Sequence, residues 1–243
     1  MSYSSLIDTI VWCAEGNYTH GRNTSIKKVC IHHMAGNLSV EVCGRIFQQA
    51  GRGASAHYGV GTDGRRALYV DEYNTAWANG NWPSNCESVS IEIANSYVGG
   101  DYPVSDKALR SAIELVADIA KRNNLGRLSV GENLICHSMV ANTYCPGNYL
   151  RSKLEYIAEE ANKINYPAPT PSKKLYRVQV GAFKNKNNAN KLLNELKGKG
   201  IACFVKEENG YYKVQVGAYS VYANAEKMKK KLENMGYKPF IKE

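Results

Sequence analysis

A stretch near the C-terminus occurs twice, 36 residues apart, and this repeat limits the folds open to the chain. Tyr176-Arg177-Val178-Gln179-Val180-Gly181-Ala182-Phe183 returns as Tyr212-Lys213-Val214-Gln215-Val216-Gly217-Ala218-Tyr219. The register then holds without a gap. Ala189 matches Ala225, Leu192 matches Met228, Leu196 matches Leu232, Gly200 matches Gly236, and Phe204-Val205 matches Phe240-Ile241. Each copy reads as strand, helix, strand, with the helix apolar at helical spacing and ending at a glycine. One copy could not bury its own sheet face, so the two are expected to pack together as β-α-β-β-α-β.

That order is the ferredoxin-like split βαβ arrangement, a small α+β domain. Alternation along the strands puts Arg177 and Gln179 on one face and Val178 and Val180 on the other. The second copy groups Tyr211, Lys213 and Gln215 in the same way. With helices covering the valine face, an open face of amides, basic groups and one aromatic remains. Such a face suits sugar hydroxyls and sugar rings. The region is also strongly basic: from residue 173 onward there are 16 Lys/Arg against 6 Asp/Glu, while the rest of the chain has 15 against 16. A basic module of this kind meets something anionic, and charge alone leaves nucleic acid, an acidic lipid surface and an anionic wall polymer open. RNA-binding domains of this topology stack bases on aromatics of the central strands. Here those strands carry mainly Gln, Arg and Lys, so no nucleic-acid partner is expected.

Pro167, Pro169 and Pro171 stand at alternate positions just before the repeat. Prolines so spaced cannot continue a helix and favour an extended spacer. The expected division is a domain over 1–164, a linker over 165–174 and the repeat domain over 175–243. No apolar run approaches the roughly 20 residues needed to span a bilayer. The first residues lack a basic leader and are interrupted by Asp8 and Thr9, so neither signal peptide nor membrane anchor is expected. The chain is then expected to be made in the cytoplasm and to reach any external substrate by lysis or release. Seven cysteines, an odd number, argue against a disulfide framework and for a reduced compartment of synthesis.

The N-terminal part alternates strand and helix signals and predicts an α/β domain, a mixed β-sheet flanked by helices. Helical patterns cover 40–49, 105–122 and 150–164. Strand patterns cover 29–31, 88–94 and 134–136, and a Thr-Asp-Gly turn between 58–61 and 67–70 predicts a hairpin. Three places in this part carry chemistry. His32-His33 follows one strand, His137 follows another, and Cys145-Pro146-Gly147 lies eight positions further on. Two imidazoles and a thiolate suit Zn²⁺ and leave a fourth position open. Glu92 interrupts the otherwise apolar strand 88–94. It reads either as the solvent face of an edge strand or as a carboxylate able to take a proton from an attacking water.

Six segments occur in order: Cys30-Ile31-His32-His33-Met34-Ala35-Gly36, Ala54-Ser55-Ala56-His57-Tyr58-Gly59-Val60, Ala76-Trp77, Ser90-Ile91-Glu92, Cys136-His137 and Thr143-Tyr144-Cys145-Pro146-Gly147. As a set they resemble the type 2 N-acetylmuramoyl-L-alanine amidases, related to peptidoglycan recognition proteins and T7-type lysozyme, over residues 26–164. The match looks closest to amidases of phage endolysins. The repeat from Tyr176 resembles the SPOR domain, a peptidoglycan-binding module. The first resemblance implies zinc held by His32, His137 and Cys145, with Glu92 as the carboxylate that activates water. It implies that Thr143 positions the scissile carbonyl and that Trp77 forms a cleft wall. Ala78 departs from the family, where many members have His. His33 would be a supporting residue, since neighbours on a strand point to opposite faces. His57 lies in a segment that matches a cleft-facing strand, with a hydrogen-bonded structural histidine as the other reading. The reaction implied is hydrolysis of the amide between N-acetylmuramic acid and L-alanine. Recognition proteins that lack the cysteine ligand bind without cutting, and retention of Cys145 and Glu92 favours catalysis. The partners implied are intact peptidoglycan and glycan stripped of its peptides. A phage or prophage endolysin, a sporulation or autolytic amidase, and a non-catalytic binder are the settings left open.

Overall fold

In a computed structural model the described residues are 2–167 and 174–243, and the chain divides into two compact units, Met1–Ala168 and Pro169–Glu243. Most of the expected linker lies outside the described residues. The first unit runs β1 (Thr9–Ile10), β2 (Tyr18–Thr19), β3 (Lys28–His33), α1 (Val40–Phe47), β4 (Tyr58–Val60), β5 (Arg66–Leu68), β6 (Thr75–Ala76), α2 (Trp82–Glu87), β7 (Ser88–Ile93), α3 (Asp106–Arg122), β8 (Leu134–Cys136), a 3₁₀ turn (His137–Met139) and α4 (Gly147–Asn165). Its main sheet has the order β1-β5-β4-β7-β3-β8. Strands β4, β7, β3 and β8 are mutually parallel, and β4 and β5 form the antiparallel hairpin.

Side-chain alternation decides what each face does. Val29 and Ile31 of β3 and Val89, Ile91 and Ile93 of β7 are fully buried in one apolar cluster with the inner faces of α3 and α4. These helices begin and end where their chemistry dictates. Ser105 caps α3 by accepting from the Ala108 N–H, Asp106 stands in its first turn, and Lys121 and Arg122 stand in its last. The intervening residues Cys30, His32, Ser90 and Glu92 therefore point to the opposite face. A second apolar cluster on α1, with Val40, Cys43 and Phe47, packs Tyr69 and Ala67.

The second unit runs β9 (Tyr176–Phe183), α5 (Lys186–Gly198), β10 (Phe204–Glu208), β11 (Tyr211–Tyr219), α6 (Tyr222–Asn234) and β12 (Phe240–Lys242). The sheet order β10-β11-β9-β12 is wholly antiparallel, which is the expected ferredoxin-like topology. Its core is built from repeat-related pairs: Val178 and Val214, Ala189 and Ala225, and Leu196 and Leu232 are all fully buried. Asn209 and Gly210, at φ 55° and 74°, form the tight β10–β11 turn, a conformation that an Asn-Gly pair adopts readily. Among the described residues no helix is long and apolar enough to cross a membrane.

Candidate metal centre and glycan face

The candidate centre lies at the carboxyl ends of the parallel strands, where open α/β sheets commonly place their sites. His32 and Glu92 are register partners on adjacent strands β3 and β7, so their side chains project side by side from one face. The next residue in that row is Gly59 of β4, where Tyr69 fills the space a side chain would take. His137 follows directly after β8, and Cys145 precedes α4. One ligand atom each from His32, His137 and Cys145 lies within 4.8 Å of the others. The His32 and His137 ring centroids are 4.6 Å apart, and Cys145 Sγ is 3.7 Å from His32 Nδ1.

Burial sets the protonation of this group. His32 is 1 % exposed, and burial together with the His137 imidazole holds its pKa at about 3. Burial lowers His137 as well, so both rings are neutral and have lone pairs to offer a cation. Burial pushes the Cys145 thiol up, against a hydrogen bond from the His33 backbone amide. Glu92 is raised to about 8 by burial, opposed only by Arg52 on the loop before β4. Its Oε2 is buried without a hydrogen-bond partner. Two neutral imidazoles and a thiol converging within 4.8 Å, with the Glu92 carboxyl on the same face of the adjacent strand, fit a tetrahedral cation with one open position.

The remaining predicted residues divide. Thr143 Oγ1 accepts from the Cys145 N–H at 3.2 Å and keeps its own hydrogen free to donate. Trp77 is half-buried, with its indole N–H donating to Thr19 Oγ1 at 2.9 Å. His33 turns to the face opposite His32, edge-on to Tyr102 at 4.8 Å, with Nδ1 buried beside Gly147 and unpartnered. His57 lies deeper. It is 1 % exposed, one layer beneath the row that holds Glu92 and His32. Its Nε2 lies 2.7 Å from an Arg22 guanidinium nitrogen, and its Nδ1 accepts from the Ser90 backbone N–H at 3.0 Å and lies 3.0 Å from Ser90 Oγ. These contacts support the structural reading of His57. Sequence reasoning missed Arg22 and Ser90 in this layer. It also missed Asn79, whose Oδ1 lies 2.9 Å from His32 Nε2. Asn81-Trp82-Pro83 is a legible helix start, with Asn81 capping Ser84 N–H and Pro83 in the first turn, and would have located α2 just after Asn79.

On the second unit, register brings Phe204, Gln215, Gln179 and Phe240 into one row across the four strands. Each glutamine is less than a tenth exposed and donates to a carbonyl on its own strand, Gln179 to Gly181 O and Gln215 to Gly217 O. They floor a depression of about 280 Å³ lined also by Arg177, Lys206, Lys213, Lys242 and Glu208. Tyr211 lies on the same face opposite Glu208, at the hairpin end and outside that lining. The edge-strand residues Phe204, Lys206, Glu208 and Phe240 were not foreseen.

Comparison with known proteins agrees with this geometry. The family model described as N-acetylmuramoyl-L-alanine amidase matches residues 22–148, just over half of the chain. The chain belongs to that family. The SPOR domain model matches residues 165–243. Among solved structures, the PlyG catalytic domain is 21 % identical with a TM-score of 0.54, covering 66 % of this chain and 99 % of its own. PlyL is 21 % identical at a TM-score of 0.51, covering 66 % and 98 %. The peptidoglycan-binding domain of the B. subtilis cell wall lytic enzyme CwlC is 39 % identical over 31 % of this chain and 95 % of its own, with a TM-score of 0.28. No curated protein sequence matches the chain. The two catalytic neighbours support the amidase fold of the first unit.

Proposed function

We propose that this amidase is zinc-dependent, hydrolyses the amide between the lactyl group of N-acetylmuramic acid and L-alanine, and is held on the wall by its SPOR domain. The observation that carries the proposal is the register pairing of Glu92 with His32 beside the convergent His137 and Cys145. When bound, zinc supplies a lowered pKa for coordinated water and polarises the scissile carbonyl. Glu92 takes a proton from the attacking water and returns it to the departing amine, and a carboxyl with a pKa near neutral suits both halves of that transfer. Thr143 donates its free hydroxyl hydrogen to the carbonyl oxygen, and Trp77 walls the cleft. The buried Ser90 and His57, with the half-buried His33 and Arg22, hold the strand ends that carry the acting groups.

The SPOR face binds glycan by amide contacts to sugar hydroxyls and by its lysines and Arg177 to the lactyl carboxylates. Those carboxylates become free only once the peptide is removed. Each cut would therefore improve local retention of the enzyme. An endolysin released onto the wall from the cytoplasm is the setting we favour, supported by seven cysteines that are all free. A sporulation or autolytic amidase shares every residue of this argument.

The test is a digest of purified peptidoglycan with and without a chelator, followed by mass spectrometry. Peptides with a free L-alanine amino terminus, lost on chelation and restored by zinc, are expected. Intact glycan–peptide linkages in the presence of stoichiometric zinc would reduce the first unit to a binding domain.

A further inference from the structure

The segment Ala78–Asn81 touches both imidazoles of the metal centre through a single residue. Asn79 is 1 % exposed. Its Oδ1 lies 2.9 Å from His32 Nε2, and its backbone carbonyl accepts from the His137 imidazole. The residue is itself held at two points, and its neighbour at a third. Its Nδ2 donates to Ser84 Oγ at 2.8 Å, its N–H donates to Asn85 Oδ1 at 2.8 Å, and Asn85 Oδ1 also accepts from the Ala78 N–H at 3.2 Å. Ser84 is fixed in turn by the Asn81 cap of α2. Gly80, at φ 57°, lets the backbone turn against His137, whose Nε2 would be 3.9 Å from any added Cβ. Asn81 Nδ2 reaches Val140 O at 3.4 Å, just past the turn that carries His137.

We propose that Asn79 is the positioning residue of the metal centre, fixing the tautomer of His32 and the orientation of both histidine ligands. This inference rests on the zinc amidase reading given above. The argument is one of donor and acceptor counts. A neutral imidazole has one N–H and one lone pair. With Nδ2 of Asn79 committed to Ser84, Oδ1 is the atom that faces His32, and an oxygen can only accept. The proton of His32 then sits on Nε2, and the lone pair sits on Nδ1, which faces Cys145 Sγ and the cation position. The reverse amide orientation would protonate Nδ1 and spoil a ligand. Residues that orient metal-bound histidines in this way are typically worth 10–100-fold in metal affinity. Ala78, where the sequence departs from the family pattern, contributes only its backbone N–H to this clamp.

Two measurements test the assignment on the full chain. The first is zinc affinity, by competition with a chromophoric chelator, for the wild type, Asn79→Ala and Asn79→Asp. Asn79→Ala is expected to bind zinc 10–100-fold more weakly. Asn79→Asp keeps an acceptor toward His32, can accept from the Ser84 hydroxyl, and is expected to stay within a few-fold of wild type. An Asn79→Ala affinity equal to wild type, or an Asn79→Asp loss as large as that of Asn79→Ala, would overturn the assignment. The second needs no variant. Long-range ¹H–¹⁵N NMR of the metal-free wild type should show a buried imidazole protonated on Nε2, and His32 protonated on Nδ1 would overturn it. A wild-type chain that takes up no zinc at all would refute the zinc reading itself, a failure distinct from either of these.

Discussion

Glu92 is a carboxyl that the fold pushes out of its ordinary range, and this makes a stability measurement a test of its environment. The perturbation is Glu92→Gln, which keeps shape and removes titration. Burial raises the wild-type pKa from 4.5 to about 8 in the metal-free protein. A carboxyl whose folded pKa is raised favours folding fully below its unfolded pKa, and that contribution is lost as pH climbs through the folded value. Relative to Gln, the wild type should therefore lose stability from pH 4.5 to about 8 and change little beyond. At 1.36 kcal/mol per pKa unit the shift corresponds to a few kcal/mol at most. Water reaching the part-exposed edge of the residue trims this to about 1–3 kcal/mol at pH 8.

The assay is urea unfolding of chelator-treated protein at pH 5 and pH 8, followed by tryptophan fluorescence. Trp12, Trp77 and Trp82 are the chain's three tryptophans and all lie in the first unit, so the signal is blind to the SPOR domain. Glu92→Gln should be more stable than wild type by that margin at pH 8 and nearly equal to it at pH 5. Zinc should shrink the gap, because a nearby cation favours the carboxylate. A variant no more stable than wild type at pH 8 would refute the claim that Glu92 Oε2 is buried without a partner.

Three further outcomes follow from particular contacts. Gly147 has φ 81°, and a Cβ there would meet Tyr102 Cβ at 3.0 Å and the Asp101 carbonyl at 3.2 Å; Gly147→Ala should cost about 1–3 kcal/mol in denaturant unfolding and weaken zinc binding by displacing Cys145. Glu72 is 2 % exposed and is held by Arg122 at 2.6 Å, Tyr58 OH and Asn123; Arg122→Ala should cost about 3 kcal/mol by stranding a buried carboxylate, read by the same fluorescence assay. Glu208 is drawn down to about 2 by Lys213, Lys206 and Lys242, so its contribution to the SPOR fold is present above its ordinary pKa and lost as pH falls toward 2. Glu208→Gln should therefore release three lysines and tighten binding to peptide-stripped glycan at pH 7 in a sedimentation assay, with unchanged binding as the contrary result.

What was legible in the sequence was whatever repeats or alternates. The 36-residue repeat gave the order of elements and the core pairs of the second unit, because both copies bury the same positions. Alternation marked Glu92 as the polar interruption of an apolar strand, and its register partnership with His32 across β3 and β7 explains why two distant segments supply one site. Asn79 was not legible. It belongs to neither periodic element, and its role arises from a loop that reaches His32 across 47 positions. His57 could be read two ways for a related reason. Its segment matches the family's pattern, but Arg22, whose long side chain runs into the interior from 35 positions earlier, claims its outer nitrogen.

The open face of the SPOR domain shows the same limit more sharply. Alternation within β9 and β11 identified Arg177, Gln179, Lys213 and Gln215, since a strand reports its own faces. It could not report which neighbours flank them, because that depends on sheet order. Once β10 and β12 are placed at the edges, repeat symmetry puts Phe204 and Phe240 at opposite ends of one row, with the two glutamines between them. At about 4.8 Å per strand the two backbone positions lie roughly 14 Å apart. Two aromatic faces with hydrogen-bonding amides between them match an extended polymer that crosses the strands better than a single sugar. The repeat is thus more than a way of closing a core. By duplicating one strand-helix-strand unit, the chain places an aromatic and an amide twice on one face, and the spacing between the copies is set by the sheet itself.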